Sequence, residues 1–164
     1  MAELLFITPQ EMASSTILSG NIDIDKFTFA IANVQLTTIE PLLGTELYDK
    51  IKLDKEASTL TGLYETLYNE FIKPITKHES VAQYLEIASY IVDNGGIYKH
   101  SAEGKEIVDK QEVQFLAGKS KAMAQMYVQR FNKWITYNPI AEYKTYQEEV
   151  NAIKDISLTT GWKL

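Results

Sequence analysis

The stretch of residues 25–53 constrains the fold most, because it is apolar at helical spacing on two sides. The first apolar stripe contains Phe27, Ile31, Val34 and Thr38, and the second contains Phe29, Ala32, Leu36, Ile39 and Leu43. Two such stripes on one helix are typical of a helix that is covered on most of its sides. The sequence therefore predicts a central core helix in the first part of this stretch.

A structural corner is predicted where the core helix ends. Pro41 has no amide donor and disfavours helix at Glu40, and Gly44 relaxes the backbone just after it. Thr45 has the side chain of a helix N-cap and would start a second, shorter helix. That helix would pack through Leu47, Tyr48 and Ile51. The whole element is a buried helix, a corner and an amphipathic helix, which indicates a core rather than a function.

Composition predicts one globular domain over residues 1–164, since 45% of the residues are hydrophobic and 23% are charged. The formal net charge is −6, whereas a protein that grips duplex DNA needs a surplus of basic side chains. Sequence-specific DNA binding is therefore not expected. The absence of cysteine excludes disulfides, thiolate metal sites and cysteine nucleophiles. We see neither a secretory leader nor an apolar run that could span a membrane, so we expect synthesis in a cytoplasm and no membrane partner.

Further helices are predicted along the chain, after a short extended run over residues 4–7. Thr8 as N-cap, Pro9 at the first helical position and Glu11 in a capping box start a short helix that ends near Ser14 or Ser15. Two apolar faces then mark two helices, one through Leu60, Leu63, Tyr64, Leu67, Phe71 and Ile75 and one through Val81, Tyr84, Leu85, Ala88, Ile91 and Val92. The longest helix is predicted over residues 109–137, and a last one over residues 146–153. The predicted fold class is mainly α, a bundle of five or six helices.

One β-hairpin and two extended termini interrupt this helical pattern. Asn94-Gly95-Gly96 predicts the end of a helix. Residues 97–101 are strand-like, residues 102–105 are turn-like and residues 106–108 favour a return strand, so a hairpin is predicted over residues 97–108. The C-terminal residues 156–164 alternate and end in apolar side chains. We expect this tail to dock on its own body or on a neighbour, as an added strand.

No catalytic, metal or cofactor site is predicted. The only two histidines, His78 and His100, lack a glutamate three residues before them, and both are interpreted as surface residues. Asn21, Asp23 and Asp25 resemble the opening of a calcium loop, but the glycine and the bidentate glutamate of that loop are missing. The favoured alternative is that Asp23 or Asp25 caps the following helix.

The long predicted helix is locally basic through Lys119, Lys121, Arg130 and Lys133. A solvated face is favoured over phosphate binding for these residues. Paired carboxylates such as Glu148 and Glu149 are likewise interpreted as solvated. No nucleophile, base and oxyanion donor can be assembled from motifs, so we predict no enzyme activity and no cofactor.

The order of these features resembles the small helical head–tail connector, or adaptor, proteins of tailed bacteriophages, most of all those of phages that infect Bacteroidetes, including the crAss-like group. The best single piece is the run Pro41-Leu42-Leu43-Gly44-Thr45-Glu46-Leu47-Tyr48. The run Phe6-Ile7-Thr8, the exit at Asn94-Gly95-Gly96, the long helix and the ending Gly161-Trp162-Lys163-Leu164 also match. The likeness spans most of the chain.

The resemblance implies a structural virion protein of the phage neck, made in the bacterial host cytoplasm. It implies a homo-oligomeric ring, commonly of twelve copies, that lies between portal and tail and extends the DNA channel. The implied partners are the portal protein and further connector or tail proteins, and DNA would pass through without sequence-specific binding. Catalysis is not implied.

The predicted hairpin and the C-terminal tail are surplus to a compact bundle, so they are the predicted contacts to other subunits or to the portal. The candidate interface residues are Ile97, Tyr98, Lys99, Ser101, Ile107, Leu158, Trp162 and Leu164. Two alternatives stay open at this point. One is a helical adaptor in another multi-subunit assembly, and the other is a bundle that binds a small ligand.

Overall fold

The computed structural model of the chain describes residues 4–16, 24–88, 90–93, 96–99, 110–143, 146–148 and 150. These residues are mainly helical, as predicted. The α-helices are α1 (Pro9–Ser15), α2 (Ile24–Val34), α3 (Glu40–Leu43), α4 (Thr45–Glu56), α5 (Gly62–Leu67), α6 (Lys73–Ala88) and α7 (Lys110–Tyr137). A first π segment, Gln35–Ile39, joins α2 to α3, and a second, Tyr68–Ile72, joins α5 to α6. The strands are β1 (Tyr90–Asp93) and β2 (Gly96–Lys99).

Each π segment ends two residues before a proline, Pro41 in one helix and Pro74 in the other. In both, the last hydrogen bond spans five residues, from the amide of Glu40 to the carbonyl of Gln35 and from the amide of Lys73 to the carbonyl of Tyr68. A proline in a helix cannot donate and its ring crowds the carbonyl four residues earlier. The wider π turn makes room for the ring, so both helices continue through their prolines.

The first π segment also changes which apolar stripe is buried. Buried side chains recur at every fourth position, at Phe27, Ile31, Gln35, Ile39, Leu43, Leu47 and Ile51. Four residues are more than the about 3.6 residues of one α-helical turn, so a row of side chains at this spacing drifts around the helix axis. The wider π turn offsets part of this drift. The core therefore takes the first predicted stripe before the π segment and the second stripe after it.

The prediction that this helix is covered on most sides is wrong. Phe29 and Leu36, both from the second stripe, are 64% and 50% exposed. The prediction that helix is disfavoured at Glu40 is also wrong, because Glu40 opens α3 and Pro41 lies in its first turn.

The two helices predicted around residues 60–75 and 81–92 are one continuous helix, from Gly62 to Ala88. Pro74 does not end it, because the second π segment precedes that proline. The buried side chains again recur at every fourth position, at Tyr68, Ile72, Thr76, Ser80 and Tyr84. The helix ends at Ala88, earlier than the predicted stop at Asn94.

The β-hairpin predicted over residues 97–108 is not seen among the described residues. Instead, β1 pairs with β2 in antiparallel register, with Tyr90 opposite Lys99 and Asp93 opposite Gly96. Ile91 and Val92, which were predicted to be helical, therefore lie in a strand, as their β-branched side chains favour. The residues between the strands, Asn94 and Gly95, have the sequence most typical of a two-residue hairpin connection. The same residues are also typical of a helix end, which is the structure predicted from the sequence.

The N-terminal segment, residues 4–7, is inserted between the two cores of the bundle. Phe6 and Ile7 are adjacent in sequence but belong to different clusters of buried side chains. The larger cluster contains Val34, Ile39, Leu43, Leu47, Tyr48, Ile51, Leu67, Phe71, Ile75, Phe131 and Ile135, among others. The smaller cluster contains Met12, Phe27, Ala30, Ile31, Val81 and Tyr84. The predicted start of α1 is confirmed, since the Thr8 hydroxyl accepts from the Glu11 amide at 3.2 Å.

Side chains from the two π segments satisfy the buried backbone of this segment. The amide of Phe6 donates to the Gln35 side-chain oxygen at 2.6 Å, and the Gln35 side-chain nitrogen donates to the Leu4 carbonyl at 3.1 Å. The carbonyl of Phe6 accepts from the Tyr68 hydroxyl. Burial raises the pKa of Tyr68 to about 12, with Glu11 adding to the shift. Gln35 and Tyr68 are each the first residue of a π segment.

The long helix α7 matches its predicted extent to within one residue and packs along α6. Its fully buried positions are Ala117, Ala124 and Phe131, each seven residues apart. Polar contacts fix its register, because the Ser120 hydroxyl donates to the His78 carbonyl at 2.8 Å and Lys121 pairs with Glu86 at 3.0 Å. After α7, residues 141–143 form a short helical turn.

We expect Gln35→Met to lower the free energy of unfolding by about 2–4 kcal/mol, because it leaves the buried amide of Phe6 and the part-buried carbonyl of Leu4 without their Gln35 partner. Gln83→Met is the matched control, since the half-buried Gln83 accepts only one described hydrogen bond, from Asn33 at 2.9 Å. Its expected cost is about 1 kcal/mol or less. Urea unfolding of both variants measures the difference, and equal losses would contradict the anchoring role of Gln35.

Candidate functional site

The predicted structural corner lies at Gly44, and Tyr146 covers it. Gly44 has a φ of +79°, which separates α3 from α4. The Tyr146 ring fills the space where a side chain on Gly44 would lie, and the Tyr146 hydroxyl donates to the Pro41 carbonyl at 2.8 Å. Gly44, not Thr45, is the N-cap residue of α4. Thr45 instead donates from its hydroxyl to Glu40 at 3.2 Å.

A depression of about 490 Å³ lies beside this corner. Its lining residues are Leu36, Glu40, Pro41, Gly44, Thr45, Glu46 and Tyr146. Both charged residues of the lining are acidic, and one exposed leucine, Leu36, lies among them. The depression therefore suits an apolar or basic group of a partner better than an anion.

The acidic character continues along the outer face of α4. The exposed charged residues of this helix are Glu46, Asp49 and Glu56, and Leu53 between them is 65% exposed. The lysines of α4 are half-buried, and one of them, Lys50, pairs with Asp54 at 2.9 Å. We call Glu46, Asp49, Leu53 and Glu56 the acidic face.

Helix α7 presents an exposed row of opposite charge. The row consists of Phe115, Lys119, Ala122, Met126, Arg130 and Lys133, at spacings of three or four residues, and we call it the basic face. Phe115 and Met126 are 61% and 56% exposed. Helix α7 carries five basic residues and one acidic residue, which is a net charge of +4. Since the net charge of the whole chain is −6, the rest of the chain carries −10. The sequence signal for this face is the lack of any acidic residue over residues 113–137.

Aromatic rings hold two basic side chains of this face. The Lys119 ammonium lies 4.5 Å from the centroid of the Phe115 ring, and the Arg130 guanidinium lies 5.3 Å from that of Tyr127. Such cation–π contacts restrict long side chains that would otherwise sample many rotamers. The predicted exposure of Lys119, Arg130 and Lys133 is confirmed, whereas Lys121 is half-buried beside Glu86.

An apolar groove of about 420 Å³ lies between the end of α1, α6 and α7. Its lining residues are Ser15, Thr16, His78, Val81, Leu116, Lys119, Ser120 and Met123. His78 is not the surface residue that was predicted, because it is half-buried with its ring stacked on Tyr127 at 5.8 Å. Burial lowers the pKa of His78, and the nearby Lys77 lowers it further.

A polar cluster fastens the turn after α7 to α4 and α5. The Tyr64 hydroxyl donates to Glu142 at 3.0 Å, and the Lys50 ammonium lies 4.7 Å from the centroid of the Tyr64 ring. Burial, together with the Glu142 carboxylate, raises the pKa of Tyr64. These contacts join three parts of the same subunit, so we assign this cluster a structural role.

Five of the eight interface residues predicted from the sequence lie outside the residues that the structure describes. Ile97, Tyr98 and Lys99 lie together in β2. Ser101, Ile107, Leu158, Trp162 and Leu164 lie outside the described residues, as does His100. Asn21 and Asp23 also lie outside them, and Asp25 lies in the first turn of α2 instead of capping it.

The described part of the chain contains no group of three or more His, Asp or Glu side chains that could hold a metal ion. Over the same residues, no helix combines the length and the apolar character needed to cross a bilayer.

The model of a family of unknown function (DUF6712) matches residues 39–155, most of the chain. No curated protein and no solved structure matches. The matched region begins at Ile39, two residues before the run Pro41–Tyr48, and it includes α4 and α7.

We expect Gly44→Ala to destabilise the protein by roughly 1–3 kcal/mol, because a side chain there is strained at positive φ and meets the Tyr146 ring. Gly118→Ala is the control, since Gly118 lies in α7 with nothing within 4 Å of the added methyl group. That change should stabilise the helix by about 0.5–1 kcal/mol. Denaturant unfolding tests the pair, and a neutral Gly44→Ala would show that the corner tolerates a side chain.

The lowered pKa of His78 predicts a pH-dependent stability. Below the unfolded-state pKa of 6.5, the unfolded chain binds a proton that the folded protein resists. The free energy of unfolding should therefore fall as the pH drops from 7 to below 6.5, and it should fall less in His78→Gln. Unfolding curves at pH 7 and at a pH below 6.5, together with an NMR titration of the imidazole, test this. A measured pKa at or above 6.5 would contradict it.

Proposed function

The chain belongs to the DUF6712 family. We propose that it is a structural subunit of the neck of a tailed bacteriophage. In this proposal, copies of the chain form a ring between the portal and the tail. The ring joins head to tail and extends the DNA channel. The chain is made in the cytoplasm of the bacterial host, acts in the virion and catalyses no reaction.

The observation that carries the proposal is the presence of two different apolar and charged faces on one small subunit. The basic face lies on α7, and the acidic face lies on α4 beside the corner depression. Exposed apolar patches ringed by polar residues typically mark protein–protein contacts. Two unlike patches on one subunit make a head-to-tail contact, and such contacts close into a ring when the rotation between copies closes.

The resemblance to connector proteins supplies the rest of the proposal. Its best motif, residues 41–48, lies inside the region that the family model matches. The partners that follow are the portal protein and further connector or tail proteins, with twelve copies as the expected number. The proposal also assigns the segment of residues 97–108 and the tail of residues 156–164 as the parts that bridge subunits.

The charge distribution is compatible with a DNA channel. A net charge of −6 allows a channel lining that repels phosphates. DNA would then slide past the ring without sequence-specific contacts. The basic face would have to lie away from the channel or be covered by a neighbouring subunit.

Two other functions remain as alternatives. A helical adaptor of a different assembly would use the same two faces, but it need not form a ring with a central hole. A ligand-binding bundle is favoured by one observation, the groove at His78 and Met123. A thermal-shift screen with metals and nucleotides would support that function if a compound clearly raised the melting temperature.

The experiment that tests the ring is native mass spectrometry of the purified chain at high concentration, with negative-stain images of the same sample. We expect one closed oligomer with a central hole. If the chain stays monomeric, pull-downs with portal protein provide the second test. Failure of both would favour the generic adaptor over the phage connector.

Deletion of residues 156–164 should leave a folded, helical monomer that no longer joins the ring. The reason is that the tail is proposed to bridge subunits and not to complete the core. Circular dichroism measures the helix content, and native mass spectrometry measures the oligomer. The double variant Trp162→Ala/Leu164→Ala serves as the control that keeps the chain length, and loss of helix content on deletion would contradict the proposal.

A further inference from the structure

Charge is strongly segregated in this protein, and the segregation coincides with exposed apolar side chains. Helix α7 carries +4 and the rest of the chain carries −10. The basic face interleaves Lys119 and Arg130 with exposed Phe115 and Met126. The acidic face interleaves Glu46 and Glu56 with exposed Leu53.

The spacing of the two faces is complementary. On α7 the order is a base at Lys119, an apolar side chain seven residues later at Met126, and a base at Arg130. On α4 the order is an acid at Glu46, an apolar side chain seven residues later at Leu53, and an acid at Glu56. At 1.5 Å per residue the basic pair spans about 16.5 Å and the acidic pair about 15 Å.

We infer that the basic face of one copy docks on the acidic face of the next copy, with α7 and α4 parallel. In this contact Glu46 meets Lys119, Leu53 meets Met126 and Glu56 meets Arg130. The inference rests on the proposed ring and specifies which surfaces join its subunits. The residues of this contact lie on α4 and α7, outside the set of interface residues predicted from the sequence.

A second copy fits the basic face better than nucleic acid does. Duplex DNA is held through phosphates, for which exposed Phe115 and Met126 offer no partner. Protein interfaces, in contrast, are enriched in aromatic residues, methionine and arginine. The Lys119 and Arg130 side chains are also held by rings, which lowers the entropy cost of ordering them in a contact.

The test uses two double charge reversals in the full chain. The first variant is Lys119→Glu/Arg130→Glu, and the second is Glu46→Lys/Glu56→Lys. Each variant alone places like charges across the contact, so its self-association should weaken by about 100-fold or more. An equimolar mixture should restore association, because each variant then faces a partner of opposite charge. Sedimentation velocity and native mass spectrometry measure this, and circular dichroism checks that each variant is folded.

The matched control is Glu65→Lys/Glu70→Lys, which changes the net charge as much at two exposed residues outside the acidic face. It should associate like the wild type. Raising the salt concentration should weaken the wild-type contact, since exposed charge pairs are screened. Variants that associate normally alone, or a mixture that stays dissociated, would overturn the inference.

Two further outcomes separate this inference from the proposed function. Closed rings formed by both variants alone would keep the ring and overturn the α4–α7 contact. Rescue in the mixture with open filaments and no closed ring would keep the contact and count against the connector. If duplex DNA binds the wild type, and Lys119→Glu/Arg130→Glu abolishes only that binding, the basic face serves nucleic acid and the inference fails.

Discussion

The bundle depends on the way in which the backbone of Phe6 is hydrogen-bonded inside the protein. A non-helical segment buried between helices would leave amides and carbonyls without partners, at a cost of about 1–3 kcal/mol each. Here Gln35 accepts from the amide of Phe6, and Tyr68 donates to its carbonyl. Because these two side chains begin the two π segments, one buried residue ties both π-containing helices to the N-terminal segment.

Most helices were predictable from sequence, because caps and apolar periodicity are local signals. Thr8 and Pro9 fixed the start of α1, and the apolar spacing over residues 113–135 predicted α7 almost to the residue. Pro41 misled the prediction, since a proline normally stops a helix, whereas a π turn two residues earlier accommodates it. No local sequence pattern predicts such a π turn. For the same reason the exposure of Phe29 was not foreseen.

The candidate site was only partly predictable. The corner at Gly44 follows from glycine itself, but its partner Tyr146 lies about one hundred residues away along the chain and no pattern connects the two. The basic face was visible as a charge run, and its significance depends on the exposure of Phe115 and Met126, which only the packing of α7 on α6 reveals. The hairpin was predicted too far along the chain, over residues 97–108, because Asn94-Gly95 has the sequence of both a helix end and a tight turn.

The π segments have a consequence for how this protein divides its apolar residues. Each contributes the equivalent of one inserted residue to an otherwise regular helix. Removing that residue would rotate everything beyond it by about 100° about the helix axis. The inserted residue thus acts as a rotational register, and in the first helix it determines which of two competing apolar rows is buried and which is left exposed.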